Sequence, residues 1–190
     1  MTTATHTQTR QTLAPAGRWT VDPRHSAVEF AVKHLVIATI KGRFREFEGS
    51  LEVQGVTGEV RGHGYVKVES IDTAEPSRDG HLLSPDFFDV DRFPEITFGL
   101  SEVEPIEDNR YRVHGEIKIR GVRRNIALDA VVSDTARDLW GNERLALDLT
   151  GCVSRKDFHL RWNQVVEAGP VAGDEVQLSL SLSLVRQADY

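Results

Sequence analysis

Along most of the chain, apolar and polar side chains take turns. In "VEFAVK", Val28, Phe30 and Val32 are separated by Glu29, Ala31 and Lys33. In "YRVHGEIKIR", Val113, Ile117 and Ile119 oppose Arg112, Glu116, Lys118 and Arg120. "IALDAV" sets Ile126, Leu128 and Ala130 against Ala127, Asp129 and Val131, and "RLALDLT" sets Leu145, Leu147 and Leu149 against Ala146, Asp148 and Thr150. The cleanest case is "QLSLSLSL", where Leu178, Leu180, Leu182 and Leu184 alternate with Ser179, Ser181 and Ser183. A period of two is that of a strand with one wet face and one dry face. Turn-like stretches punctuate these segments: "VDPRHS", "QGVTGE", "EPIEDN" and "WGNE".

No segment sustains a long helical period. Pro76 suits a first helical position and Ser84-Pro85 can start a second turn, so one or two short helices are predicted within 76–88. "KHLVIAT" (33–39) is a further helical candidate, although its β-branched residues suit a strand equally well. About eight half-dry strands either stack as two sheets or close on themselves, and closure removes the edges that invite aggregation. The expected fold class is therefore all-β, an antiparallel eight-stranded β-barrel with the short helices at its mouth. At this strand number the interior is either filled by side chains or holds one small ligand. Aromatic residues make up only 7% of the chain, too few to fill the inside with large rings, which favours a cavity.

Residues 1–16 are rich in Thr, Gln and Ala and have almost no large apolar side chains, so a disordered tail is expected there and a single barrel domain over 17–187. The net charge of −6 argues against broad contact with nucleic acid or anionic membrane, both of which need a basic surface. A single cysteine, Cys152, rules out an intrachain disulfide and fits a reducing compartment. The N-terminal residues show no secretory pattern, and no run of about 18 apolar residues suggests an integral membrane segment. A cytoplasmic location is the expectation.

Motifs for chemistry are sparse. The seven histidines form no His-x-x-x-His pair, so surface or structural roles are expected and no metal site or cofactor is predicted. Cys152 reads as a small buried apolar residue. No Gly-x-Ser-x-Gly or phosphate loop occurs, and "RGHG" (61–64) reads as a flexible or bulged strand start. The carboxylates of "FFDVDRFPE" suit capping and pairing with Arg92 better than acid–base catalysis. "VDPRHS" (Asp22, Arg24, His25) and "RDGH" (Arg78, Asp79, His81) are either staples that fix loops at a barrel end or cradles for a polar head group, since arginine is the preferred fork for phosphate or carboxylate. Phe87, Phe88, Phe98 and Trp162 either plug the barrel or line the tail of a ligand.

Four blocks taken together resemble the YceI-like family of bacterial lipocalin-fold proteins that bind polyisoprenoids and related lipids. They are "WTVDPRHSAVEFAVKHLVIATIKGRF" (19–44), "RDGHLLSPDFFDVDRFPEITF" (78–98), "YRVHGEIKIRGVRR" (111–124) and "SRKDFHLRWN" (154–163), and the resemblance spans about residues 18–186. It implies a lipocalin-like barrel with an apolar channel and a binding or transport protein rather than an enzyme. It also implies ligand-binding candidates: His34, Leu35, Arg78, Asp79, His81, Leu82, Phe87, Phe88, Phe98 and Trp162, with Phe30 and Phe44 from the first block. Val36 and His159 stand where the family usually carries glycine, and either side chain would narrow the channel. The partner this implies is an isoprenoid or other lipid-like small molecule, with no nucleic acid. A homodimer through the outer strand faces stays open. Competing readings are sequestration of hydrophobic antibiotics or toxins, an enzyme on an isoprenoid-like substrate with His34 or His81 as base, and a scaffold with a filled interior.

Overall fold

A computed structural model describes residues 13–35, 37–55, 58–163, 165–166, 169–170 and 172–188, without side chains for 165–166 and 169–170. Ten strands build the architecture: β1 (Gly17–Val21), β2 (Ala27–His34), β3 (Ala38–Phe44), β4 (Phe47–Val53), β5 (Val60–Lys67), β6 (Glu95–Glu107), β7 (Arg110–Ile119), β8 (Val122–Val132), β9 (Glu143–Ser154) and β10 (Ala172–Arg186). The ring runs β1–β4–β5–β6–β7–β8–β9–β10 and back to β1, every neighbour antiparallel. This is the closed eight-stranded barrel expected from the alternation.

Two strands of the ring are extended by second segments. Along one edge of β10, Leu184 pairs with Val21 of β1 and Ser181 pairs with Ala27 of β2. Thus β1 and β2 lie end to end, and β4 and β3 follow them on the far side. The interruption has a local cause. Pro23 opens a 3-10 turn, Pro23–His25, capped by the Asp22 carboxylate, which accepts from the Arg24 amide at 3.1 Å. Of the helical candidate 33–39, the described residues 33–35 and 37–39 are instead the end of β2, turn and the start of β3, in line with the β-branched composition.

Period two fixes which side chains enter the barrel. Tyr111, Val113, Ile117 and Ile119 of β7 are buried, as are Leu128, Ala130 and Val132 of β8 and Leu145, Leu147, Leu149 and Val153 of β9. The same rule corrects the reading of Cys152: with Val153 facing inward, Cys152 faces outward and is exposed. At one end of the barrel Trp19, fully buried, packs with Leu51, Val53, Tyr111, Val113, Leu128, Leu145 and Leu184. Leu13 and Ala14 are buried in this cluster, and the Trp19 indole N–H donates to the Pro15 carbonyl at 3.0 Å, so residues 13–16 form a strap across the closed end. Residues 1–12 lie outside the described residues.

The other end carries the connection 68–94 with the only α-helix among the described residues, α1 (Pro76–Leu83). Pro76 occupies the first turn, and the Glu75 carboxylate accepts from the Ser77 and Arg78 amides. The second helix allowed for at Ser84-Pro85 is a run of turns, closed by Asp89, which is buried with φ 54° and receives the Arg92 guanidinium at 3.2 Å.

Candidate functional site

The interior is not filled. Above the packed cluster at the closed end lies an overwhelmingly apolar cavity of about 210 Å³. Val28 and Phe30 of β2, Phe44, Phe98 of β6, and Leu178, Leu180 and Leu182 of β10 wall it; Leu51, Leu147 and Leu184 form its floor. The leucines of β10 that the sequence marks so regularly are therefore split. Leu184 is buried in the core, whereas Leu178, Leu180 and Leu182 are half-buried along the cavity.

Two glycines explain why large rings leave space. A Cβ on Gly42 would lie 2.3 Å from Cζ of Phe30, its cross-strand partner, and one on Gly115 would lie 2.3 Å from Cζ of Phe98. Both rings lie flat against the barrel wall because the wall has no side chain beneath them. A larger residue at either position would push the ring toward the lumen.

A second apolar cluster stands over the cavity at the mouth. Phe87, Phe158 and Leu160 are buried there, with Leu82, Phe88 and Trp162 packed on them. The His81 ring meets Phe87 edge-on at 5.1 Å and Trp162 at 4.6 Å, and Phe87 and Trp162 are 5.3 Å apart. Phe88 meets Phe44 at 6.4 Å, and Phe44 meets Phe30 at 5.7 Å, so aromatic contact runs from the mouth into the cavity wall.

Polar side chains hold the mouth together. Arg78 donates to the Thr73 hydroxyl and carbonyl, both at 2.7 Å, while Asp79 accepts from the Thr73 amide at 3.0 Å and from its hydroxyl. Both charged groups pin α1 to the residue after Asp72, the contacts that a staple makes. Arg155, nearly buried, donates to the carbonyls of Leu160 at 2.6 Å and of Trp162 and Gly173 at 2.8 Å, and pairs with Asp174 at 3.3 Å. Arg120 donates to the carbonyls of His159 and Pro85 and so ties this segment to the turns after α1. His159 itself has φ 61° and ψ 20°, a left-handed conformation that glycine adopts without strain, which is the physical reason a glycine suits the position. Val36 lies outside the described residues.

At the closed end the other polar motif is also a staple. Asp22, buried, receives the Arg144 guanidinium at 2.9 Å and contacts His25 Nδ1 at 2.9 Å, and Arg144 reaches Asp138 at 2.8 Å. Hydrogen bonds from His25 and then Arg144 hold the Asp22 carboxyl well below the usual carboxylate range; Arg144 and Asn142 do the same for Asp138.

The sequence-predicted site residues thus separate by position. Phe30, Phe44 and Phe98 lie in the cavity wall. Leu82, Phe87, Phe88, His81 and Trp162 form or contact the mouth cluster above it, and Arg78 and Asp79 form the clasp on Thr73. His34 ends β2 and Leu35, with φ 50°, begins the turn beyond it; neither is in the wall. Sequence reasoning missed Gly49, Gly62 and Gly64, which line the cavity, and Arg155. The alternate glycines of "RGHG" carried the signal, since period two puts both on one face. They belong to a regular strand, with no shift in register against β4.

The YceI-like domain matches residues 19–184. A UPF0312 protein of Yersinia enterocolitica is 32% identical over 178 residues, covering 91% of this chain and 88% of that protein, and one of Staphylococcus aureus is 30% identical over 171 residues, covering 86% and 94%. Among solved structures, a Campylobacter jejuni YceI protein superposes with a TM-score of 0.71 at 26% identity, covering 82% of this chain and 90% of that one. A polyisoprenoid binding domain from Saccharophagus degradans has the same fold, with a TM-score of 0.68 at 15% identity and coverage of 89% and 98%.

Proposed function

The chain belongs to the YceI-like domain family, and from that premise we propose that it carries or stores a lipid of polyisoprenoid, isoprenoid-quinone or fatty-acyl type in its barrel cavity, as a binding protein rather than an enzyme. The observation that carries this reading is the cavity itself, a space of about 210 Å³ walled by hydrocarbon. An apolar chain entering it gains about 0.8 kcal/mol per methylene removed from water. Drug-sized sites run to roughly 300–1,000 Å³. A long chain therefore fills the lumen and continues past a displaced mouth cluster, and its polar end is left at the rim. Arg78 and Asp79 stay on Thr73, so recognition rests on shape and burial rather than on a charged clamp.

The enzyme reading required a histidine in the lumen beside a second polar group. His34 lies outside the wall, and His81 is held between Phe87 and Trp162 with Asp86 at 3.4 Å. The test is titration of delipidated protein with geranylgeraniol and with hexadecan-1-ol, followed by tryptophan fluorescence. Saturable binding of either supports the proposal, and a flat response to both defeats it. Phe98→Glu places a carboxylate against the apolar lumen and is expected to abolish uptake while circular dichroism retains the barrel signature. Binding that survives this substitution would place the ligand elsewhere.

A further inference from the structure

The cavity is not symmetric about the barrel axis. Inward positions pair across β4 and β5 as Phe47 with Val66, Gly49 with Gly64, Leu51 with Gly62 and Val53 with Val60. On the other side of β5, Gly64 pairs with Phe98. The three glycines therefore adjoin one another on one sector of the wall, and all three line the cavity. The ring of Phe98, the next side chain around the barrel, leans the other way and rests on Gly115. A bay one side chain deep is left between Val21 and Phe98, backed by the backbone of β4 and β5 and bounded by the side chains of Leu51 and Leu100.

Backbone conformation does not demand glycine there. None of the three has a positive φ, and the β4–β5 ladder is regular. An added Cβ would meet Val21 Cγ2 at 3.0 Å from Gly49 and Leu51 Cδ1 at 3.3 Å from Gly62, side-chain ends that can turn aside, and the Glu48 carbonyl oxygen at 3.1 Å from Gly64, where the β4 backbone must give by a few tenths of an ångström. Glycine inside a strand weakens it, and valine strengthens it. Three such positions on one patch are best accounted for by the space they leave.

We propose that Gly49, Gly62 and Gly64 form a lateral subsite that accepts the widest part of the cargo, a methyl-branched or cyclic apolar group, and so sets which lipids the barrel admits. A straight acyl chain does not need the bay; a chain with a methyl branch every few carbons does. Phe98, resting on Gly115, bounds the subsite on one side. This rests on the apolar-cargo reading above, and its test separates the two.

The experiment uses the full chain, delipidated, as wild type, Gly62→Val, Gly64→Val and, as a control, Gly99→Val. Gly99 is exposed on the outer face, and a Cβ there meets nothing within 4 Å. Each is titrated with geranylgeraniol and with hexadecan-1-ol, and melted in the absence of ligand. Expected results are at least a tenfold loss of geranylgeraniol affinity in Gly62→Val and Gly64→Val, less than a threefold change for hexadecan-1-ol, and a Tm unchanged or raised. Gly99→Val is expected to match wild type in both titrations. Equal losses for the two alcohols, no loss for either, or a lowered Tm in both bay variants would overturn the subsite, the last because it would mark the glycines as bends of the barrel. Wild type that binds neither alcohol defeats the cargo reading itself, whereas wild type that binds both while Gly64→Val discriminates nothing defeats the bay alone.

Discussion

The two halves of the barrel obey one pattern and come to opposite ends. At the closed end inward positions carry Trp19, Leu51, Tyr111, Leu128 and Leu145, and the residues close on one another. Halfway up, the same alternation continues, but the inward positions are Gly49, Gly62 and Gly64 on one sector and rings folded onto Gly42 and Gly115 on the others. Alternation alone decides which face is dry; the volumes placed on that face decide whether it is full. A packed half supplies stability, and the half above it can then stay empty.

The sharpest way to break this contrast is to truncate one ring in each half. Trp19→Ala should cost about 3–5 kcal/mol, because a fully buried indole leaves a cavity in a close-packed region. Phe30→Ala, whose ring already faces empty space, should cost under about 2 kcal/mol. Urea denaturation measures both, and equal losses would erase the distinction between the halves. Next in size is the mouth. Asp79→Ala leaves the Thr73 amide and hydroxyl without their acceptor and should lower the local stability of α1 by about 1–2 kcal/mol. Hydrogen exchange should show that loss at 73–83 with the closed end unaffected; a global loss would mean that the mouth is part of the same cooperative core.

A smaller effect is expected from pH. The Asp22 carboxyl titrates lower in the folded chain than in the unfolded chain, so its contribution is complete above the ordinary carboxylate pKa of about 4 and is lost as pH falls through the depressed value. Thermal melts of wild type should therefore decline below about pH 4, and Asp22→Asn should flatten that decline while lowering Tm at pH 7. An unchanged acid limb would show that Asp22 is not the group. Least of all should be felt at Leu139 and Trp140, 96% and 80% exposed on the turn that Asp138 organises. Replacing either with serine should change stability by less than about 0.5 kcal/mol, and a larger drop would reveal packing at this tip.

Much of this was legible in the chain. The strands and their dry faces follow from period two, the barrel was favoured because closure removes open edges, and Pro76 marked the start of α1. Phe87, Phe88, Phe98 and Trp162 stood out on sequence as either barrel plug or ligand lining, but their division between cavity wall and mouth cluster did not. Phe98 and Phe88 differ only in which strand or turn carries them past the rim. The RDGH motif left two readings open because Thr73, the residue that its charged groups hold, is an unremarkable one five positions upstream.

The sequence by itself determined the alternation, and with it the strands and their apolar lining, because side-chain direction along a strand is a local property of the backbone, whereas closure of the sheet is not. Only the tertiary structure decided where the lining fails to meet itself. Gly49, Gly64, Phe98 and Gly115 become neighbours through the register of β4, β5, β6 and β7, and empty volume is a sum over residues that no single stretch of chain contains.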